Sequence, residues 1–152
     1  VRRLRIHSRL PVVIPQRLTP ALQSLLSNSR LQVSMVLHIN HPTELSDALR
    51  LPLQALRQNG VTLLNQAVLL RKVNNTLGIL SDLSERLFEF GVLPYYLHLL
   101  DSVRGAHHFD ISEQEAVFLY RQLLAELPGY LVPRLVREEA GKANKSPINL
   151  DR

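Results

Sequence analysis

The sequence has no cysteine, no tryptophan, six glycines and only 5% aromatic residues; lysine occurs three times, at Lys72, Lys142 and Lys145. Without cysteine the chain can hold no disulfide and no thiolate-ligated metal. Neither GxGxxG nor GxxxxGK[ST] follows any strand pattern, which argues against a nucleotide-binding open sheet. There is no GxSxG nucleophile elbow. No apolar run reaches the length of a membrane span. The basic opening "VRRLRIHSR" is not followed by the apolar stretch and small-residue cleavage site of a signal peptide. These absences point to a cytoplasmic protein with no membrane partner.

Basic residues are plentiful: the net charge is +5, with 15 arginines, and the isoelectric point is near 10.1. The arginines are scattered and no basic run is interleaved with aromatics, so nucleic acid is not the expected partner. A zinc site from His38 and His41 is disfavoured, because residues three apart on a strand point to opposite faces. His107 and His108 have no carboxylate or thiolate partner evident in sequence.

What remains is an ordinary globular composition, 45% hydrophobic and 20% charged over 152 residues, enough for one domain with a real core. Five short apolar runs recur at residues 4–9, 31–40, 61–70, 93–101 and 130–138. Helical patterns lie between them, at 19–28, 42–60, 75–91 and 112–127. The first has Thr19 as N-cap and Pro20 at the first helical position. The last opens on a capping box, Ser112 with Glu115, and stops at Pro128-Gly129. Pro52 predicts a break or kink in the second helix, since proline costs about 3 kcal/mol in a helix interior. Strand and helix alternating in this way predict βα units on a parallel sheet: an α/β fold of about five parallel strands with four helices.

Alternation along "QVSMVLHIN" puts Val33, Met35, Leu37 and Ile39 on one face and Ser34, Val36, His38 and Asn40 on the other. Polar residues gather at the ends of other strands too: His7-Ser8-Arg9, Gln66, and His98 with Asp101. In a (β/α) barrel that is the end where the site sits. The competing reading, that each is a turn former or a satisfied backbone partner, suits one position better than four. Two of the three lysines fall in "GKANKSPINL" (141–150). Such a pair is usually a solvated tail, but a lysine can also serve as a Schiff-base nucleophile.

The strings "HSRLPVVIPQR" (7–17), "LHINHPTE" (37–44), "LLNQAVLLRKVNN" (63–75), "LPYYLHLLDSVRGAHHF" (93–109) and "GYLVPRLVREEAGKANKSP" (129–147) resemble the C-terminal half of the lysine 2,3-aminomutase family. The resemblance leans to the branch that makes β-lysine for modifying elongation factor P. It implies a radical S-adenosylmethionine enzyme with a 4Fe-4S cluster and pyridoxal phosphate, which moves the α-amino group of lysine to the β carbon. By the same resemblance Lys145, followed by Ser146-Pro147, sits at the pyridoxal Schiff-base position. Lys142 is the nearby rival without that following pair. His38 and Gln66 match positions on the S-adenosylmethionine side. Asp101 and Glu138 match carboxylates that grip the ammonium of the substrate lysine. The free-lysine enzymes have Asp where Glu138 stands and a glycine-rich run where this chain has "GKAN".

The cluster motif CxxxCxxC is absent. The expected protein is therefore the later part of a radical S-adenosylmethionine (β/α) barrel, residues 1–138, with a tail, 139–152, carrying the pyridoxal lysine. The cluster-binding half is expected elsewhere, which would leave this segment inactive alone. Two other classes stay open on sequence: a non-catalytic partial-barrel binding module, and a basic nucleic-acid-binding domain. Oligomeric state is open. With no cysteine, anaerobic reconstitution of this chain with iron and sulfide should give no cluster absorbance. Stoichiometric bound iron and sulfide would overturn that expectation.

Overall fold

The computed structural model describes residues 1–100, 107–138 and 144–150. Its centre is a six-stranded sheet in the order β1 (Arg3–Ser8), β2 (Gln32–Leu37), β3 (Thr62–Leu69), β4 (Leu93–Leu99), β5 (Arg134–Arg137), β6 (Ser146–Pro147). Strands β1 to β5 are parallel, and β6 returns antiparallel to β5. The strand order follows the chain order without reversal. The five apolar runs of the sequence are these five parallel strands.

Among the described residues five α-helices accompany the sheet: α1 (Leu10–Val13), α2 (Pro20–Ser27), α3 (Asp47–Gln58), α4 (Leu77–Glu89) and α5 (Glu113–Glu126). The one-turn α1 and the two-residue β6 are too short to leave a periodic signal. Thr19 caps α2 through the Leu22 amide, and Ser112 caps α5 through the Glu115 amide. Helix α4 starts at the Thr76 cap and turns over at Gly91, which holds φ +74. A β-carbon there would lie 2.8 Å from the Arg57 side chain.

The expected break before Pro52 does not occur: Pro52 lies inside α3. Leu49, Leu53 and Leu56 on that helix are each 0% exposed. Burying three leucines contributes roughly 1.5–3 kcal/mol apiece, which exceeds the cost of about 3 kcal/mol for the proline. The helix does start later than expected. Residues 42–44 form a separate 3-10 turn, capped by His41 and Glu44.

The sheet is two-faced. Val33, Met35, Leu37, Leu63, Ala67, Leu69, Leu97 and Leu99 are buried beneath the helices with Leu49, Leu56, Leu80, Leu83, Leu87 and Leu123. The opposite face carries Arg5 and His7, then Ser34, Val36 and His38, then Leu64, Gln66 and Val68, then Tyr96 and His98. Among the described residues, no helix is long and apolar enough to cross a membrane.

Candidate functional site

Strand ends on the face opposite the helices carry the candidate site. Val36 pairs with Leu64, and two residues further along stand His38, just past the end of β2, and Gln66, within β3. Gln66 in turn pairs with Tyr96, and Tyr96 with Arg134. Val68 pairs with His98, and His98 with Val136. The parallel register thus sets side chains from four strands in two adjacent rows.

The return strand completes the arrangement. Arg137 pairs with Ser146 and Val136 with Pro147, and the Ile148 amide donates to the Leu135 carbonyl at 3.2 Å. Pro147, which has no N–H, is tolerated because β6 is an edge strand. This pairing brings Lys145 back over the sheet. Its Nζ lies 3.1 Å from His98 Nε2 and 3.4 Å from Glu138 Oε2. It also lies 5.3 Å from the centre of the Tyr96 ring. The Lys145 side chain is 23% exposed, whereas Glu138 is 68% exposed. Beside the lysine is a hollow of about 360 Å³, lined in part by Tyr96, Tyr120, Arg134 and Ile148.

The electrostatics follow from burial and from the lysine. His98 is 5% exposed. Burial, and then the positive charge of Lys145, push its pKa down to about 4, against a smaller opposing pull from Glu138. His38 and His7 are also held below the usual imidazole value. Burial is the first cause for both, followed by Arg9 and Lys145 for His38 and by Arg5, His38 and Lys145 for His7. The two rings meet edge to face at 5.8 Å.

A buried neutral histidine has a consequence for stability. The unfolded ring protonates near pH 6.5 and the folded His98 near pH 4. Between those values the unfolded chain binds more protons, so stability should rise with pH from about 4 to about 6.5. The His98 share is on the order of 2–3 kcal/mol. His38 and His7 shift in the same direction, so His98→Gln should remove part of the slope and leave the rest. Urea midpoints at pH 4.5 and pH 7 measure it; an unchanged slope in the variant would contradict the assignment.

Of the expected site residues, Lys145 and Glu138 are brought into contact. His38 and Gln66 stand side by side on neighbouring strands. His38 Nε2 and Gln66 Oε1 are buried without a hydrogen-bond partner among the described residues. Such orphaned atoms are uncommon in folded proteins, where a buried polar atom is ordinarily satisfied by protein, water, an ion or a ligand. Asp101 and the rival Lys142 lie outside the described residues.

Not every polar strand end belongs to the site. Asn40 Oδ1 accepts from the Val68 amide at 2.9 Å, so Asn40 ties β2 to β3. His41 Nδ1 accepts from the Thr43 amide as a cap. Their roles are the bland ones, backbone satisfaction and turn capping. Conversely, Tyr96 and Arg134 line the hollow beside Lys145 without having been singled out from sequence, and His98, marked there only as a polar strand end, contacts the lysine. Alternation along β4, which puts Tyr96 and His98 on the Gln66 face, was the available signal.

A scan against protein-family models matched none. Curated relatives do match. The chain is 52% identical over 150 residues to L-lysine 2,3-aminomutase of Escherichia coli K12. It is 55% identical over 146 residues to the protein of that name from Haemophilus influenzae. With the Clostridium subterminale L-lysine 2,3-aminomutase the identity is 36% over 145 residues. These alignments take in 99%, 96% and 95% of this chain, but only 44%, 43% and 35% of the respective relatives. The chain therefore spans less than half the length of the curated relatives it matches.

Proposed function

The chain belongs by sequence to the lysine 2,3-aminomutase family, and from that premise we propose that it forms the part of such an enzyme that carries the pyridoxal lysine. The observation that carries the reading is the placement of Lys145. A half-buried amine stands at the C-terminal ends of parallel strands, between a neutral imidazole and a carboxylate. Strands added in chain order, without reversal, suit a (β/α) barrel whose site lies at that end.

The residues present fit pyridoxal phosphate. Lys145 offers the amine, the Tyr96 ring an apolar wall, and Arg134 a guanidinium beside the hollow for an anionic group. When bound, the cofactor supplies an aldehyde for the amine and a conjugated system that delocalises an unpaired electron. The orphaned His38 Nε2 and Gln66 Oε1 fit a polar ligand, and we assign them to S-adenosylmethionine. The 4Fe-4S cluster needs thiolates that this sequence does not contain; its ligands belong to a segment outside it.

The substrate is L-lysine, with Glu138 and Asp101 as the carboxylates for its ammonium. Glu138 is exposed and within reach of the amine of Lys145, so it can accept a charge-assisted bond from a second cation entering there. Glutamate at this position and "GKAN" before Lys145 favour the branch that makes β-lysine for elongation factor P, in the cytoplasm. A protein containing this chain, supplied anaerobically with S-adenosylmethionine, pyridoxal phosphate, reductant and L-lysine, should form β-lysine. Glu138→Gln should raise KM for lysine about tenfold or more, the worth of one charge-assisted bond, with a smaller effect on kcat. No β-lysine from a protein that holds its cluster and cofactor would overturn the reading.

A further inference from the structure

His98 is the most buried polar group that touches Lys145, and neither the family resemblance nor the site assignments above give it a role. Its ring is 5% exposed, anchored on β4 between Leu97 and Leu99, which are 1% and 4% exposed. Its Nε2 faces Lys145 Nζ at 3.1 Å. A lysine amine in its charged form has three N–H donors and no acceptor, so the imidazole nitrogen must be the acceptor. The proton of the neutral ring is then on Nδ1. The Tyr96 ring stands edge-on to the imidazole at 5.8 Å and limits its rotation.

We propose that His98 is the positioning residue for Lys145, a neutral hydrogen-bond acceptor that holds the amine over the strand ends in the place where it meets the cofactor aldehyde.

The two neighbours of the amine differ in kind. Glu138 is exposed and can follow Lys145 or release it. His98 is fixed by its strand and by burial, and gives the amine a direction. A neutral amine keeps two N–H donors, so His98 can still accept from Lys145 after the amine loses its proton to react, in a weaker neutral–neutral bond. This inference rests on Lys145 being the pyridoxal lysine, and the tests separate the two claims.

The first test is spectroscopic and needs no cofactor. Long-range proton–nitrogen NMR of the imidazole-labelled chain at neutral pH should show His98 protonated on Nδ1, with an Nε2 resonance that moves in Lys145→Ala. An Nε2-protonated ring, or an Nε2 resonance indifferent to Lys145→Ala, overturns the proposal. The second uses pyridoxal phosphate as probe, trapped with borohydride and mapped by peptide. His98→Leu should lower labelling of Lys145 about tenfold, the factor one hydrogen bond carries. His98→Gln, which keeps a neutral acceptor, should retain most of it. Labelling of the exposed Lys72 should be equal in all three proteins. Unchanged labelling of Lys145 in His98→Leu overturns the role. Should that variant not fold, the NMR result and His98→Gln decide the matter. Label on Lys142 in the unmutated chain would instead sink the choice of lysine, while the NMR result still judges His98.

Discussion

Replacing Lys145 with alanine is expected to remove the borohydride-trapped pyridoxyl label from the 144–150 peptide, leaving only the background of exposed lysines, whereas Lys142→Ala leaves it intact. The argument is geometric before it is chemical. A Schiff base requires an amine held against an aldehyde carbon, with groups nearby to orient it. The pairing of β6 with β5 fixes the backbone immediately after Lys145, through Ser146, Pro147 and Ile148. The side chain is 23% exposed, so it is directed across the sheet rather than into solvent. Alanine also leaves His98 Nε2, at present 3.1 Å from Nζ, without its donor. In a protein containing this chain, β-lysine formation should fall with the label, and substrate amines added to the medium should not restore label to the peptide. Stoichiometric label on another peptide after Lys145→Ala, or loss of label with Lys142→Ala, would mean that a different lysine is the attachment point.

How much of this was legible in the sequence depends on the range of the interaction. The five parallel strands and the caps at Thr19 and Ser112 are local, set by alternation and by side chains three residues from the amides they satisfy. They were readable. Pro52 does not break its helix because the cost of a proline is local while the burial of Leu49, Leu53 and Leu56 that outweighs it is tertiary. Strand β6 left no signal, since two residues have no periodicity; only its pairing with β5 makes it a strand. The site divides in the same way. Lys145 and Glu138, seven apart in sequence, were chosen by resemblance, and meet because that pairing folds the chain back. His98 was visible as a polar strand end, but its contact spans 47 residues and no sequence pattern announces it. Asn40 misled for a related reason: a polar residue at a strand end can face a pocket or serve the neighbouring backbone, and composition does not say which.

That second use of asparagine carries the largest expected effect on stability. Asn74 is 0% exposed, in the loop after β3. Its Nδ2 donates to the carbonyls of Asn40 and Val68, both at 2.8 Å, and its Oδ1 accepts from the Leu70 amide at 2.7 Å. Nearby, Asn65 exchanges two bonds with the backbone of Ile39, at 3.0 and 2.9 Å. Asn40 Oδ1 takes the Val68 amide. Together the three side chains stitch the ends of β2 and β3, where the strand ladder stops and backbone groups would otherwise be buried unpaired. Asn74→Ala strands one amide and two carbonyls, each costing about 1–3 kcal/mol, so the loss should be roughly 3–5 kcal/mol after partial relaxation. Asn65→Ala should cost less, and Asn40→Ala least, in the order three, two and one side-chain bonds. Asn74→Asp is the informative control: it keeps the shape and the acceptor but turns a carboxylate oxygen towards two carbonyls, and should be at least as damaging as alanine. Urea unfolding of the four variants, compared at equal m-value, measures the series. A cost below about 1 kcal/mol for Asn74→Ala would show that the ladder is dispensable. Because the same stitch holds the strand ends bearing His38 and Gln66, variants that still fold should also lose affinity for any ligand those two residues bind.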